Sequence, residues 1–167
     1  GHIGVARAPV DAVIYAASLG TTYPWEKYNE GAWTPGIGGQ SSPLGLWPFI
    51  VHGDAAQSTF NGRYYLAGWL PYDFQQAGGG NPAEVIIFSS CDGINWTEAL
   101  RFAQSTDPDV QIRYVSLVNS DGSDNGIVGE NMYLYLVHRD TGFSPPNTEV
   151  RRYSLTALNA PCAPGCG

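Results

Sequence analysis

Charge of either sign is scarce in this sequence, and lysine is nearly absent. Charged residues make up 14% of its 167 positions, and the formal net charge is −7. The only lysine is Lys27, and the arginines are scattered apart from the pair Arg151-Arg152. Nucleic acids and anionic membrane surfaces are bound by clustered lysine and arginine. We therefore expect neither kind of partner.

Long apolar runs are also missing. No stretch approaches the roughly 20 apolar residues that a membrane-spanning helix needs, and no segment sustains a helical period. Glycine (21 residues), proline (12 residues) and aromatic residues are abundant instead. This composition is typical of short strands joined by many turns. We predict an all-β fold with little or no helix, short strands at 3–8 and 12–17, and a long connection with little regular structure at 20–46.

Cysteine is rare as well. Cys162 and Cys166 flank a Pro-Gly turn, which predicts a disulfide between them and leaves Cys91 free or paired with an absent segment. Asn95 begins an Asn-Trp-Thr sequon and is a candidate glycosylation site. Low lysine content and the sequon together favour a secreted protein.

A strand pattern recurs along the chain. Tyr65-Leu66 returns 68 positions later as Tyr133-Leu134, and Val85 returns 65 positions later as Val150. Repeats of this size, built from strands and turns, indicate propeller blades. We predict a bladed, propeller-like fold with a partial blade at 1–19, blades at 47–103 and 112–158, and a tail at 161–167.

The turn Ser90-Cys91-Asp92-Gly93-Ile94-Asn95-Trp96 resembles the S-x-D-G-x-x-W turn of five-bladed glycoside hydrolase propellers, the arabinanase-, xylosidase- and sialidase-like enzymes. Ile3-Gly4-Val5-Ala6-Arg7-Ala8, Trp25-Glu26-Lys27-Tyr28 and Trp47-Pro48 are similar to further segments of these enzymes. The resemblance implies the C-terminal portion, about half, of such a propeller, which would need a partner chain, a second copy or an absent N-terminal half to close.

The resemblance also implies a catalytic pair of carboxylates, because glycoside hydrolysis needs an acid and a base or nucleophile. The acid expected directly after Trp47-Pro48 is absent. Asp54 and Glu84 are the nearest substitutes and are our candidate catalytic residues. A solvated surface position is the alternative for each.

Aromatic residues concentrate between positions 23 and 72. Aromatic faces stack on sugar rings, so Trp25, Trp33 and Tyr72 are candidate substrate-binding residues. His52, next but one to Asp54, is a candidate at the rim of the same site. The alternative for the aromatic residues is packing between blades.

Residues 121–126 resemble the beginning of a calcium loop. Asp121, Ser123 and Asn125 supply oxygens at its first, third and fifth positions, but Met132 occupies the twelfth position, where a bidentate Glu is needed. Calcium is the one candidate cofactor, and an ordinary polar turn is the alternative.

These patterns lead to two hypotheses on function. The first is a secreted carbohydrate-active protein that acts on or binds a polysaccharide and is a glycoside hydrolase if it is an enzyme. The second is a non-catalytic extracellular propeller, either a glycan-binding module or a subunit of a surface assembly. A self-contained small β-barrel, with a coincidental repeat, is a third interpretation of the fold.

Overall fold

The structure, a computed structural model, describes residues 3–46, 52–70, 83–105, 107, 109–123 and 126–162. Within these residues it contains eleven strands and one helix, and its three sheets are all open. The predicted all-β class is confirmed. The chain divides into two compact units, unit 1 at residues 1–47 and unit 2 at residues 48–167.

Unit 1 holds a small antiparallel sheet and the helix. Its elements are β1 (Ala6–Arg7), α1 (Val10–Ser18), β2 (Glu26–Asn29) and β3 (Ala32–Pro35), with strand order β1-β2-β3. Glu30 and Gly31 join β2 to β3 with φ angles of 50° and 85°. Positive φ at both turn residues is the geometry that matches the twist of a hairpin. We predicted little regular structure between residues 20 and 46, so this hairpin is a correction.

Helix α1 is a second correction, because we predicted a strand at residues 12–17. The segment is rich in alanine, a strong helix former, and Asp11 in the first turn suits the positive end of the helix dipole. Gly20, with φ 69°, donates to the Ala17 carbonyl while Thr21 donates to the Ala16 carbonyl. These two bonds form a Schellman cap. Val13 and Ile14 are β-branched and favour a strand, but the alanines, Asp11 and the cap favour the helix more strongly.

Unit 2 contains two antiparallel meanders. The first consists of β4 (His52–Ser58), β5 (Tyr64–Leu70), β6 (Ala83–Ser90) and β7 (Thr97–Ser105). The short strand β9 (Ile127–Val128) runs parallel to β4 and completes a five-stranded sheet of order β7-β6-β5-β4-β9. The second meander consists of β8 (Val110–Asn119), β10 (Asn131–Asp140) and β11 (Asn147–Thr156), which form a three-stranded sheet.

The sequence repeat corresponds to equivalent strand pairs in the two sheets. Tyr65 pairs with Ser89 in the first sheet, and Tyr133 pairs with Ser154 in the second. Trp69 pairs with Val85 in the same way that Val137 pairs with Val150. The repeat therefore preserves cross-strand register as well as residue type.

The core of unit 2 lies between its two sheets. Val85 and Ile87 on β6 and Leu134 and Leu136 on β10 all belong to this core, and all four are nearly inaccessible to solvent. Tyr114 in β8 has φ 51°, and between Arg113 and Ser116 two residues of β8 lie opposite Leu136. Such a bulge bends the strand and lets both Ile112 and Val115 enter the core.

The chain after β11 returns to the first sheet of unit 2. Asn61, which is buried, donates from its amide to the Leu158 carbonyl and to the Tyr65 hydroxyl. Cys162 donates from its backbone to the Asn61 carbonyl and forms a disulfide with Cys91. The predicted Cys162–Cys166 disulfide is therefore wrong, since each sulfur makes one such bond. Sequence spacing favoured the nearer cysteine, whereas folding brings the distant one into contact.

Within the described residues, no helix has the length and apolar character required to cross a membrane.

Candidate functional site

The main candidate site is a cleft of about 550 Å³ in unit 1. Its walls are largely apolar and include Ala8, Pro9, Pro24 and Pro35, together with the aromatic residues Tyr23 and Trp25. Trp25 is 40% exposed, so part of its large apolar surface remains accessible to a ligand. Clefts of roughly 300–1,000 Å³ with apolar walls and few polar groups are typical of small-ligand sites.

Among the described residues that line the cleft, Arg7 and Glu26 carry the charged side chains. Arg7 ends β1 and Glu26 begins β2, and the antiparallel register places them directly opposite each other. Arg7 Nε donates to Glu26 Oε2 over 3.0 Å, and both side chains remain about half exposed. The pair thus offers both hydrogen-bond donors and acceptors to a ligand.

Trp33 contacts Arg7 of this pair. The Arg7 guanidinium stacks over the Trp33 ring at 4.1 Å from its centroid, and the Tyr28 ring meets Trp33 edge-on at 5.6 Å. Stacking on an aromatic face restricts the orientation of a guanidinium. Of the two predicted sugar-stacking tryptophans in unit 1, Trp25 lines the cleft, whereas Trp33 supports Arg7.

Asp54 serves as a hydrogen-bond acceptor between the two sheets of unit 2. Its Oδ2 accepts from the Leu117 backbone amide over 2.7 Å and from the Ser116 hydroxyl over 3.0 Å. Both donors lie on β8, the edge strand of the second sheet. A carboxylate with these two bonds connects β4 to β8, which accounts for an acid on this strand without a catalytic role.

Glu84 is also occupied by partners. Its Oε2 accepts from Arg101 Nη1 over 2.7 Å, and Arg101 binds Glu98 over 2.8 Å. The three charges form a network across β6 and β7 in which one arginine is shared by two carboxylates. The Glu84 carboxylate is therefore held in an ion pair that belongs to the sheet itself.

The structure does not bring the two candidate acids together. Asp54 pairs with Ala67, and Ala67 with Ile87, so these three side chains share one face of the sheet. Glu84 precedes Ile87 by an odd number of residues in a regular register, and its side chain therefore projects from the opposite face. Two carboxylates on opposite faces of a sheet do not flank one glycosidic bond.

The turn at Asp92 is the most heavily hydrogen-bonded feature of unit 2. Asp92 Oδ1 accepts from the Asn95 and Ile94 amides and the Ser90 hydroxyl, and Oδ2 accepts from the Asn95 side chain. Burial alone would raise the pKa of Asp92, but these bonds outweigh it and lower the pKa to about 2. Trp96 closes the turn by donating to the Gly93 carbonyl.

Asn95, the predicted glycosylation site, is exposed on this turn, and its amide nitrogen donates to Asp92 over 2.7 Å. Its modification stays a prediction.

The predicted calcium loop is a turn after β8. Asp121 Oδ1 accepts from the Ser123 backbone amide over 2.8 Å, and bonds from Ser123 lower the pKa of this exposed carboxyl. Among the residues that the structure describes, no group of three or more His, Cys, Asp or Glu is placed to hold a metal ion. Asn125 lies outside the described residues, as do Tyr72 and Cys166, and the side chain of His52 is likewise not described.

Sequence reasoning missed Arg7 and Glu26 as site residues. They are separated by 19 positions and meet only through the pairing of β1 with β2. The signal that could have identified them is opposite charge in the two segments that the resemblance already singled out, residues 3–8 and 25–28.

Comparisons with protein-family models, with curated proteins and with solved structures found no match to this chain.

Proposed function

We propose that this chain is a glycan-binding part of a secreted carbohydrate-active protein, and that the unit 1 cleft binds the sugar. The observation that carries the proposal is the exposed Trp25 beside the Arg7–Glu26 pair in an apolar cleft. A sugar ring presents an apolar C–H face to an aromatic side chain while its hydroxyls both donate and accept hydrogen bonds. The cleft offers a partner for each of these features.

We further propose that the two meanders of unit 2 are consecutive blades of an incomplete five-bladed propeller of the glycoside hydrolase type. The four-stranded meander β4–β7 and the repeated register in the second sheet support this. The ring would be completed by further sheets from a partner chain, a second copy or another part of the protein. The disulfide supports an oxidising, extracellular compartment.

Binding is favoured over hydrolysis for this chain because Asp54 and Glu84 lie on opposite faces and are both engaged in hydrogen bonds. The second candidate function is a hydrolase whose active centre is shared with the completing sheets. Asp54→Asn and Glu84→Gln test it in the completed assembly. Unchanged release of reducing ends by both variants would remove these two acids from the catalytic candidates.

The glycan-binding proposal is tested by calorimetric titration with hexasaccharides of glucose, mannose and galactose. We expect at least one to bind, and Trp25→Ala to weaken that binding by about tenfold, since an aromatic contact is worth roughly 0.5–1.5 kcal/mol beyond the area that it buries. The matched control is Tyr15→Ala, which removes an aromatic ring that is 67% exposed on α1, away from the cleft. Absence of binding, or equal binding by Trp25→Ala, would contradict the proposal.

A further inference from the structure

We propose that the unit 1 cleft selects uncharged sugars, and that Glu26 is the residue that excludes uronates. This inference rests on the proposed glycan-binding function and names the ligand class of the same site. Three observations support it: the fixed position of Arg7, the net charge of the Arg7–Glu26 pair, and the hydrogen-bonding atoms that both side chains leave available to a ligand.

Arg7 is fixed in position before a ligand arrives. Its backbone is set by the β1–β2 register, its guanidinium plane lies on Trp33, and Nε is directed to Glu26. Nε is the only nitrogen of this side chain with a hydrogen-bond partner among the described residues. The terminal nitrogens therefore remain available as oriented donors for a ligand oxygen.

Glu26 cancels the charge of Arg7 at the wall of the cleft. Arg7 and Glu26 are the charged residues among those that line the cleft, so the site has no net charge. A carboxylate on the sugar would share Arg7 with Glu26, so repulsion from Glu26 offsets part of its attraction to Arg7. Like charges at such distances are unfavourable, and the net charge of −7 on the chain adds to the repulsion.

A neutral sugar meets no such penalty. One hydroxyl can accept from Arg7 while its neighbour donates to Glu26, because a hydroxyl does both. Trp25 and Tyr23 then provide apolar surface for the ring. The geometry thus suits adjacent hydroxyls on an uncharged ring.

The test compares each neutral hexasaccharide with the same molecule after oxidation of its primary hydroxyls to carboxylates. These pairs differ in charge and share a backbone. We expect the unmodified protein to bind the neutral member more tightly, on the order of tenfold, and Glu26→Gln to bring the ratio near one by releasing Arg7 to the ligand carboxylate. The ion pair is exposed, so circular dichroism should show an unchanged fold.

Glu30→Gln is the matched control, because Glu30 is an exposed acid on the β2–β3 turn outside the cleft. In this variant the ratio of neutral to oxidised sugar binding should equal that of the unmodified protein. Equal or tighter binding of the oxidised sugars by the unmodified protein would overturn the inference. The inference would also be overturned if Glu26→Gln kept the same ratio of neutral to oxidised sugar binding as the unmodified protein. If Trp25→Ala abolished binding in that case, the proposed glycan-binding function would still stand. If no sugar of either kind binds, the proposed function fails as well.

Discussion

The two sheets of unit 2 carry the same repeat but turn opposite faces of it to their shared core. Tyr65 is 3% exposed and faces the core, whereas Tyr133, its equivalent 68 positions later, points away from the core residues Met132 and Leu134. Ile87 in the first sheet is buried, and its equivalent Arg152 is exposed and lies over the Tyr133 ring. The repeat therefore specifies strands and their register, while the neighbouring sheet decides which face becomes core.

The difference in burial between the two equivalent tyrosines is tested most directly by Tyr65→Ala and Tyr133→Ala. Tyr65→Ala empties a buried ring site and removes the hydroxyl that binds Asn61 and Leu158, and we expect a loss of about 4 kcal/mol in the free energy of unfolding. Tyr133→Ala should lose less than about 1 kcal/mol. Urea denaturation measures both. Similar losses would mean that the outer face of the second sheet is covered in solution.

The disulfide connects the segment that follows the second sheet to a turn of the first. Cys91→Ser combined with Cys162→Ser opens a loop of 71 residues, and we expect a loss of about 3 kcal/mol. Non-reducing peptide mapping of the unmodified protein should recover Cys91 linked to Cys162. As a control, Cys166→Ser should leave this linkage and the stability unchanged. A peptide that contains Cys162 linked to Cys166 would contradict the structure.

The Asp92 turn occurs in the first sheet, and its hydrogen bonds make a pH-dependent contribution to the free energy of unfolding. The pKa of Asp92 is lowered from 3.8 to about 2 on folding. Because the turn lies at the surface, solvent screening reduces the corresponding stability to about 1 kcal/mol. This contribution is complete above the unfolded pKa and is lost as the pH falls through the folded pKa. Asp92→Asn should therefore destabilise by about 1 kcal/mol at neutral pH.

The difference between the unmodified protein and Asp92→Asn should narrow between about pH 4 and pH 2, as measured by urea denaturation across that range. If the difference in the free energy of unfolding stayed constant with pH, the charge of the carboxylate would not be what stabilises the turn.

Arg152→Ala is the smallest of these perturbations. It removes a cation over the Tyr133 ring at 4.7 Å on an exposed face, and we expect a loss of about 0.5 kcal/mol. Ile87→Val, at the equivalent buried position, should lose about 1 kcal/mol despite removing a single methyl group. A larger loss for Arg152→Ala than for Ile87→Val would show that the outer face of the second sheet is covered in solution.

Features that depend on neighbouring residues were predictable from sequence. The Asp92 turn follows from the spacing of Ser90, Asp92 and Gly93, whose side chains and amides bond one another locally. The hairpin after β4 follows from Asn61-Gly62, where Gly62 adopts φ 72°. The aromatic pattern between residues 23 and 72 singled out Trp25, which lines the cleft, but also Trp33, which does not.

Features that depend on distant residues were not predictable. The Arg7–Glu26 pair needs the β1–β2 register, and the Cys91–Cys162 bond needs the return of the chain after β11. The separation of Asp54 from Glu84 also required the complete sheet, because the pairing register places them on opposite faces. Helix α1 is a different case, since its Gly20 cap and alanines were visible in the sequence and its β-branched residues were weighted too heavily.

By itself the sequence determined the all-β class, the repeat, the turns and the sparse charge, because these depend on residue type and short spacing. Only the tertiary structure decided which face of each sheet is buried, which cysteines bond and which polar groups line the cleft. The physical reason is that strand pairing joins residues far apart in sequence, and a shift of one position would invert every side chain. Burial and charge pairing are properties of that register, which a linear pattern does not contain.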